Sequence, residues 1–372
     1  MLRFLTAGES HGPSLVAIID GLPAGLPLRP EDVDADLRRR QAGYGRGDRQ
    51  QIERDEVRFL AGLASGRTIG APLAMLIGNR DYENWRAREV APWTRPRPGH
   101  ADLAGSIKYG LDDLRLVAER ASARNTAAQV AVGAVAKTLL RQVGVEVGSH
   151  VEAIGGVTAD VEDLAIAERL RLGRTSDVSC PSPAASEEMR RAIDAAREAG
   201  ESLGGIIVVA ALGVPVGLGS HVQWDRRLDG RLARAVMSVQ AIKGLEIGPA
   251  FANAALPGTQ VHDALYPGPE GQPVRRTNRA GGLEGGMTNG EPLILRAAMK
   301  PIPTTVSPLP TVDLSTGAAA PTEYQRSDVC AVPAAALVCE NMVAWVLAEA
   351  LLERYGGDTL DEIQRRVARD RR

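Results

Sequence analysis

Short apolar runs separated by polar, glycine-rich loops make up the N-terminal part of the chain. Residues 2–7 and 14–19 are each long enough for one short strand, and the loop between them carries Ser10 and His11. A polar glycine loop between two strands is typical of a hairpin that exposes its turn. A lone histidine is more often a surface or core residue than a catalytic one, but the flanking glycines and the adjacent hydroxyl favour a chemical role here.

Longer patterns predict the other elements. Apolar positions at helical spacing predict helices over residues 30–40, 127–140, 187–199, 226–239 and 333–355. Runs rich in branched apolar residues predict strands over residues 57–63, 71–77, 145–157, 205–214 and 293–299. Residues 79–98 and 306–325 are interpreted as irregular, and the charged tail 365–372 as a frayed helix end. The order of strands and helices in residues 145–250 resembles that of residues 1–140 in outline, which is a weak indication of two similar halves.

Composition narrows the class of protein. Of the 372 residues, 44% are apolar and 24% are charged, as in soluble globular proteins. The net charge of -2 gives no general attraction to nucleic acid or to acidic lipid. Cys180, Cys330 and Cys339 are too few and too widely spaced for a disulfide framework, which favours the reducing cytoplasm. The sequence begins without a signal peptide and has no run of ~18 apolar residues, so no membrane span is predicted.

Arginines recur on the glycine-rich loops. Arg40 ends the first predicted helix, and Arg46 and Arg49 lie in the glycine loop that follows. Arg97 and His100 lie on a second loop, which is stiffened by prolines. Arginine near flexible backbone can bind phosphate or carboxylate through paired hydrogen bonds, although arginines late in a helix can also simply complement its dipole. The glycine loop matches neither a dinucleotide fingerprint nor a P-loop.

Two arginines four residues apart precede the apolar run of the predicted 127–140 helix. Arg120 and Arg124 enclose the small residues Ala121, Ser122 and Ala123. At helical spacing both arginines can lie on one face, and small residues between them would let a flat ring or another backbone approach closely. This stretch suits an anionic, planar ligand. A solvated basic turn in front of a core helix is the alternative.

The C-terminal third carries further candidate chemistry. The glycine-rich run 281–290 continues directly into the predicted strand 293–299, so a flexible linker is a poor interpretation. Residues 300–305 add a cation, prolines and hydroxyls, and Asp328 offers a carboxylate. The wide spacing of the histidines predicts no metal site. Together these residues suit a phosphorylated anion, with histidine as proton donor or acceptor near neutral pH.

Several of these motifs, in this order, resemble the chorismate synthase family. They are Gly8-Glu9-Ser10-His11-Gly12, Arg97-Pro98-Gly99-His100-Ala101-Asp102, Glu119-Arg120-Ala121-Ser122-Ala123-Arg124 and Arg326-Ser327-Asp328, with the loops 43–49 and 300–304 also in place. The resemblance extends from residue 8 to about residue 345. It implies an α/β fold in which two sheets pack around helices as a β-α-β sandwich, formed by a single domain over residues 1–372.

The resemblance also implies an activity. A lyase of this family converts 5-enolpyruvylshikimate 3-phosphate to chorismate and phosphate by a 1,4-anti elimination, the last step of the shikimate pathway of aromatic amino acid biosynthesis. Reduced FMN is required although no net oxidation occurs. A homotetramer and an external flavin reductase are expected. NADPH is left open as the reductant, with Arg40 and Arg46 as the nearby cations.

Roles for individual residues follow from the same resemblance. His11 would assist phosphate departure, His100 would protonate or hydrogen-bond the reduced flavin near N1, and Asp328 and Ser10 would relay a proton at flavin N5. The substrate's anionic groups would meet Arg40, Arg46, Arg49, Arg97 and Arg124. The flavin would lie against Arg120, Ala121, Ser122, Gln240, Ala241, Gly285, Lys300, Pro301, Ile302, Pro303 and Thr304, with Arg326 closing the site.

Three positions depart from the family pattern. Ala121 stands where many members carry serine, so a hydroxyl relay there would fall to Ser122. Asn125 replaces a common glutamate, and Asn341 replaces a small apolar residue. None of these changes removes a histidine, arginine or aspartate of the core set. Two hypotheses of other classes stay open: a flavoprotein oxidoreductase that uses the same flavin site for net redox, and a non-catalytic anion-binding protein.

Overall fold

Two antiparallel sheets enclose a layer of helices in the computed structural model, which describes residues 1–47, 52–269, 271–325 and 327–370. The first sheet has the strand order Arg3–Ala7, Ser14–Asp20, Leu73–Gly78 and Val57–Ala61. The second has the order Ile242–Ile247, Leu293–Met299, Gly205–Leu212, Glu146–Ile154 and Val157–Thr158. Neighbouring strands run antiparallel throughout both sheets.

Three helices form the middle layer: Pro30–Gln41, Thr126–Arg141 and Val332–Tyr355. The second packs against the first sheet, the third packs against the second sheet, and the two pack against each other. Both are buried along nearly their whole length, because apolar neighbours surround them on every side. This arrangement confirms the predicted α/β fold with two sheets packed around helices.

The Val332–Tyr355 helix is long and apolar enough to cross a membrane, by length and composition alone. However, 89% of its most apolar window is buried inside the protein. The helix contacts the Thr126–Arg141 helix and two strands of the second sheet. Its apolar character is therefore that of a core helix, which needs apolar residues around its whole circumference.

The crossing of the two long helices depends on one glycine. A Cβ atom on Gly133 would lie 2.5 Å from the carbonyl oxygen of Asn341, so no side chain fits there. Asn341 is fully buried, and its amide nitrogen donates to the carbonyl oxygen of Leu337 at 3.0 Å. The helix backbone therefore satisfies the amide nitrogen of Asn341, whereas its buried Oδ1 has no hydrogen-bond partner among the described residues.

Smaller elements surround this framework. The other helices are Tyr82–Trp85, Asp102–Tyr109, Leu114–Ala121, Ile166–Thr175, Pro183–Glu198, Leu228–Met237, Ala250–Asn253, Gly258–Val261 and Leu360–Asp370. Short strand pairs join Leu63–Ala64 to Arg67–Thr68, Leu265–Pro267 to Pro273–Arg275, Leu283–Glu284 to Met287–Thr288, and Pro310–Val312 to Ala319–Pro321. The irregular segment predicted over 306–325 therefore contains one of these pairs.

Two sequence-based expectations about helix ends are wrong. The C-terminal tail is not frayed through residue 370, because the Leu360–Asp370 helix buries Ile363 and Val367 in the core. The helix predicted to begin at residue 187 begins at Pro183. The Ser182 hydroxyl caps it by accepting from the backbone N–H of Ala185 at 3.3 Å, and proline is well suited to the first turn.

The outer side of the first sheet exposes apolar side chains. Leu5 and Ile18 are cross-strand partners and are 71% and 42% exposed. Leu60, on the edge strand, is 53% exposed. Exposed apolar side chains on one face of a sheet are typical of a protein–protein interface.

Candidate active site

A cavity of about 730 Å³ opens beside the helix layer. Its walls come from separated segments of the chain, and its size is that of a small-molecule site. Most of the site residues proposed from the sequence line it. They are Ser10, His11, Arg40, Arg46, Arg97, His100, Ala121, Ser122, Arg124, Gln240, Ala241, Lys300, Ile302, Pro303, Thr304 and Asp328.

Three of the proposed residues that the structure describes, Pro301, Gly285 and Arg120, are not among those that line the cavity. Arg49 and Arg326 lie outside the described residues. Pro301 is adjacent to lining residues without being one itself, and Gly285 lies in the turn of a short hairpin, with His221 as its neighbour. Arg120 points away to the first strand. The flavin contacts expected for the three described residues remain predictions.

The position of Arg120 follows from a break between two helices at Ser122. The Leu114–Ala121 helix ends there, and the next helix begins at Thr126 after one turn of 3-10 helix. Arg120 donates to the carbonyl oxygens of Thr6 at 2.9 Å and Gly8 at 3.2 Å. Arg120 and Arg124 therefore do not share the helix face that their spacing suggested.

Ser122 and Asn125 stabilise this break. The Ser122 hydroxyl accepts from the backbone N–H of Arg124 at 3.2 Å and lies 3.0 Å from the Ser10 hydroxyl. The Asn125 amide donates to the carbonyl oxygens of Glu119 at 3.1 Å and Arg120 at 2.9 Å. Asn125 thus satisfies backbone acceptors that the end of the helix leaves open.

His11 is held by contacts on two sides. Its Nδ1 lies 2.6 Å from Glu119 Oε1, and its backbone N–H donates to Glu119 Oε2 at 2.7 Å. The ring of Trp85 packs against the imidazole at 4.1 Å between centroids and 35° between planes. The loop itself is fixed by the Asn79 amide, which donates to the Gly12 carbonyl oxygen at 2.7 Å.

His100 belongs to a second histidine–carboxylate pair. Its Nδ1 lies 2.6 Å from Asp102 Oδ1, and Arg97 Nε donates to Asp102 Oδ2 at 2.7 Å. Burial opposes ionisation of Asp102, but the hydrogen bonds from His100 and Arg97 hold its pKa well below the usual range. Lys300 Nζ donates to the Gly99 carbonyl oxygen at 2.6 Å, which ties this loop to the end of a strand of the second sheet.

Buried arginines form the polar end of the cavity. Asp55 bridges two of them, with Oδ1 2.6 Å from Arg124 Nη1 and Oδ2 3.3 Å from Arg40 Nη1. Burial, together with the charges of Arg124 and Arg46, outweighs the attraction of Asp55 and lowers the pKa of Arg40 to about 9. An anion placed among these cations would therefore be strongly favoured.

Asp328 is paired with a neighbouring glycine loop. Its Oδ2 lies 2.7 Å from Arg46 Nη1, and its Oδ1 accepts from the backbone N–H of Gly47 at 2.7 Å. Arg46 Nε is buried without a hydrogen-bond partner among the described residues. The guanidinium can thus donate a further hydrogen bond to an anionic oxygen.

The opposite wall of the cavity is largely apolar. Ala241 adopts a φ of 66°, a left-handed conformation that is rare for alanine and is typical of functional sites. Its carbonyl oxygen accepts from the backbone N–H of Lys300 at 2.9 Å. Gln240 Oε1 is buried and has no hydrogen-bond partner within the described part of the chain. Apolar lining residues near it include Met237, Val239, Ile302 and Pro303.

Sequence reasoning missed several residues of the site. Asp55 and Glu53 lie in a charged run that is typical of a solvated surface, yet both are buried and Glu53 lines the cavity. Asn79 contacts both the His11 loop and Arg124. Glu119 was identified only as part of a motif, because contacts across 108 positions leave no local signal.

Comparisons with known proteins agree over the whole chain. The family model described as chorismate synthase matches residues 2–352. The chorismate synthase of Moorella thermoacetica is 56% identical, covering 99% of this chain and 98% of its own length. That of Chlorobaculum tepidum is 52% identical, covering 99% and 97%. A solved structure entitled "Crystal Structure of Chorismate Synthase" has a TM-score of 0.80 and 43% identity, covering 99% of this chain and 96% of its own.

Proposed function

This chain belongs to the chorismate synthase family of lyases, and from that premise we propose the chemistry of its cavity. The reaction is a 1,4-anti elimination in which 5-enolpyruvylshikimate 3-phosphate loses phosphate and its C6 hydrogen to give chorismate. The observation that carries the proposal is the convergence of His11, His100 and paired arginines on one cavity with an apolar wall. The same cavity can then bind a polyanionic substrate through its arginines and transfer protons through its histidines.

The arginines would bind the substrate. Arg40 and Arg124 lie together around Asp55, and Arg46 has a buried N–H without a partner among the described residues. Arg97 and Arg49 complete the predicted set, Arg49 from outside the described residues. Positive charge close to a departing phosphate stabilises the transition state more than the ground state, because charge on the leaving oxygen grows as the bond breaks.

The histidines would move protons. His11 would give a proton or hydrogen bond to the departing phosphate, and His100 would hydrogen-bond the cofactor. Ser10 and Asp328 would relay the proton taken from the substrate. General acid–base catalysis of this kind contributes ~10²–10⁴-fold to a rate.

The apolar wall fits reduced FMN. A flat ring could pack on Ala121, Ile302 and Pro303, and the buried Gln240 Oε1 is an acceptor suited to a flavin N–H. When bound, reduced FMN supplies an electron transiently and recovers it, so the reaction needs the flavin without net oxidation. The chain's own residues would bind it, orient it and exclude water.

Partners and compartment follow from the same premise. We expect a homotetramer, supported by the exposed apolar face that contains Leu5 and Ile18. One buried core joins both sheets, which supports a single domain over residues 1–372.

Reduced flavin would come from an external reductase in the cytoplasm. NADPH near Arg40 and Arg46 is the alternative, and flavin bleaching on mixing NADPH, FMN and the protein alone would favour it.

The test is anaerobic. Photoreduced FMN and 5-enolpyruvylshikimate 3-phosphate are supplied, and phosphate, chorismate and flavin absorbance are followed together. We expect phosphate and chorismate in equal amounts, over many turnovers per flavin, with no net flavin oxidation. Absence of phosphate release would overturn the proposal. Product formed with stoichiometric flavin oxidation would instead indicate an oxidoreductase.

A further inference from the structure

We propose that Glu119 is a positioning residue for His11. Its carboxylate holds one proton on Nδ1, so that the proton given to the departing phosphate is the second one, carried by Nε2 when the ring is an imidazolium. This inference rests on the proposed role of His11. Glu119 would act through His11, and in the sequence it stands out only as part of a motif.

The geometry assigns the proton to one nitrogen. The backbone N–H of His11 can only donate, so Glu119 Oε2, 2.7 Å away, accepts from it. The same carboxylate directs Oε1 to Nδ1 at 2.6 Å. An ionised carboxylate has no proton to give, so Nδ1 must carry the hydrogen of that contact. Two contacts from one carboxylate to one residue set both the tautomer and the rotation of the ring.

The surroundings keep this arrangement rigid. Glu119 lies in the Leu114–Ala121 helix, and its carbonyl oxygen accepts from the backbone N–H of Ser10 at 3.1 Å. Trp85 packs on the face of the imidazole. The side chains of His11 and Glu119 are only 20% and 15% exposed, so water screens their interaction weakly. A helix, a loop and an aromatic ring therefore define one orientation of His11.

The second histidine pair uses the same ring nitrogen. Asp102 directs Oδ1 to Nδ1 of His100 and accepts from Arg97 through Oδ2. Glu119 directs one oxygen to the backbone N–H of His11 and the other to Nδ1. When Nε2 accepts a proton, the adjacent carboxylate stabilises the positive charge that forms on the ring, as in histidine–aspartate pairs of hydrolases.

The test is Glu119→Gln, which preserves size and removes the charge. Its amide oxygen can still accept from the backbone N–H of His11, but its NH2 group then faces Nδ1 and favours the opposite tautomer. We expect kcat to fall by ~10³-fold or more, as when such a carboxylate becomes an amide in a catalytic triad, with little change in KM. The matched control is Glu9→Gln, an exposed residue of the same loop, which should retain normal turnover.

Two measurements separate positioning from a structural role. In a His11→Ala background, Glu119→Gln should cost no further activity, because the residue through which it acts is missing. An equal loss in both backgrounds, or normal turnover of Glu119→Gln, would overturn the proposal. Histidine-selective 15N NMR should show a protonated Nδ1 at His11 in the unmodified protein and the opposite tautomer in Glu119→Gln. This readout does not depend on turnover, so it distinguishes failure of the tautomer assignment from failure of the proposed function.

Discussion

His11 and His100 lie on two unconnected loops, and each has a carboxylate at Nδ1. Both histidines line the cavity, and neither is part of the hydrophobic core. Substitution of either ring should therefore affect chemistry much more than folding.

We expect His11→Ala and His100→Ala each to lower turnover by ~10²-fold or more in the anaerobic assay, because each removes a side chain to which we assign proton transfer or hydrogen bonding in the reaction. Thermal unfolding of both variants should stay close to that of the unmodified protein. Near-normal rates in both would contradict the roles given to them, and loss of cooperative unfolding would show that the rings are structural.

His150 is a histidine of a different kind. It is fully buried in the Glu146–Ile154 strand, and neither ring nitrogen has a hydrogen-bond partner among the described residues. Burial lowers the pKa of His150 to about 4, against 6.5 for an ordinary histidine. Below pH ~6.5 His150 binds a proton in the unfolded chain. In the folded protein it binds that proton only as the pH approaches 4.

Stability should consequently fall as the pH decreases from about 6.5 to about 4, with this residue contributing up to about 3 kcal/mol. Urea unfolding at pH 7 and pH 5 would measure the loss. In His150→Leu, of similar size and without a titrating ring, the loss should be smaller by about 2 kcal/mol. An equal loss in both proteins would show that His150 does not carry this pH dependence.

At the residue scale the motifs predicted a set of ligand-facing residues, and most of those described line one cavity. What the sequence could not provide was the set of partners. Asp55 serves Arg40 and Arg124 from a charged run that resembles solvated surface. The left-handed backbone of Ala241 was equally invisible, because alanine gives no signal for it.

At the scale of elements, segments with a clear apolar pattern were predicted well. Segments without such a pattern were missed. The strand predicted over 293–299 has those bounds, since its residues are apolar except for Arg296 and alternate between buried and half-buried positions. The Ile242–Ile247 strand was missed, because residues 240–244 follow a helical pattern directly and contain a glycine. The Asp102–Tyr109 and Leu114–Ala121 helices were missed as well, since each is only 8 residues long and half-exposed.

The close packing of the Thr126–Arg141 and Val332–Tyr355 helices predicts how a substitution of Gly133 changes stability. Gly133→Ala should destabilise the protein by several times the ~1 kcal/mol that alanine normally adds to a helix, because its Cβ would meet the backbone of Asn341. Gly230→Ala is the control, since it lies in the Leu228–Met237 helix with nothing within 4 Å of the new atom. Chemical denaturation should show opposite signs for the two variants. Stabilisation by both would mean that the helices move apart easily.

At the scale of the whole molecule, a buried charge cluster joins the layers. Glu340 is fully buried, and its carboxylate contacts Lys137, Arg39 and the Ser149 hydroxyl. Lys137 also donates to Asp36 Oδ2 at 2.8 Å. Burial alone would raise the pKa of Glu340, but the charges of Lys137 and Arg39 hold it well below its usual range. The cluster connects three helices to the second sheet.

Glu340→Gln should destabilise the protein by ~3–5 kcal/mol, because it leaves the buried Lys137 and the half-buried Arg39 with too little negative charge. Urea unfolding at neutral pH would measure the change. Glu168→Gln, which breaks an ion pair between half-exposed side chains, should change the free energy of unfolding little. A small effect at Glu340 would indicate that water reaches the cluster.

The ion pairs within the cavity have a further consequence for selectivity. Arg40, Arg46, Arg97 and Arg124 each have a carboxylate partner, so an incoming anion must compete with an internal carboxylate for their positive charge. A monoanion such as chloride replaces one carboxylate contact and gains little. A ligand with several anionic groups can replace several contacts at once, and its gains add within a single binding event. We therefore expect the cavity to favour ligands with several anionic groups over simple monoanions.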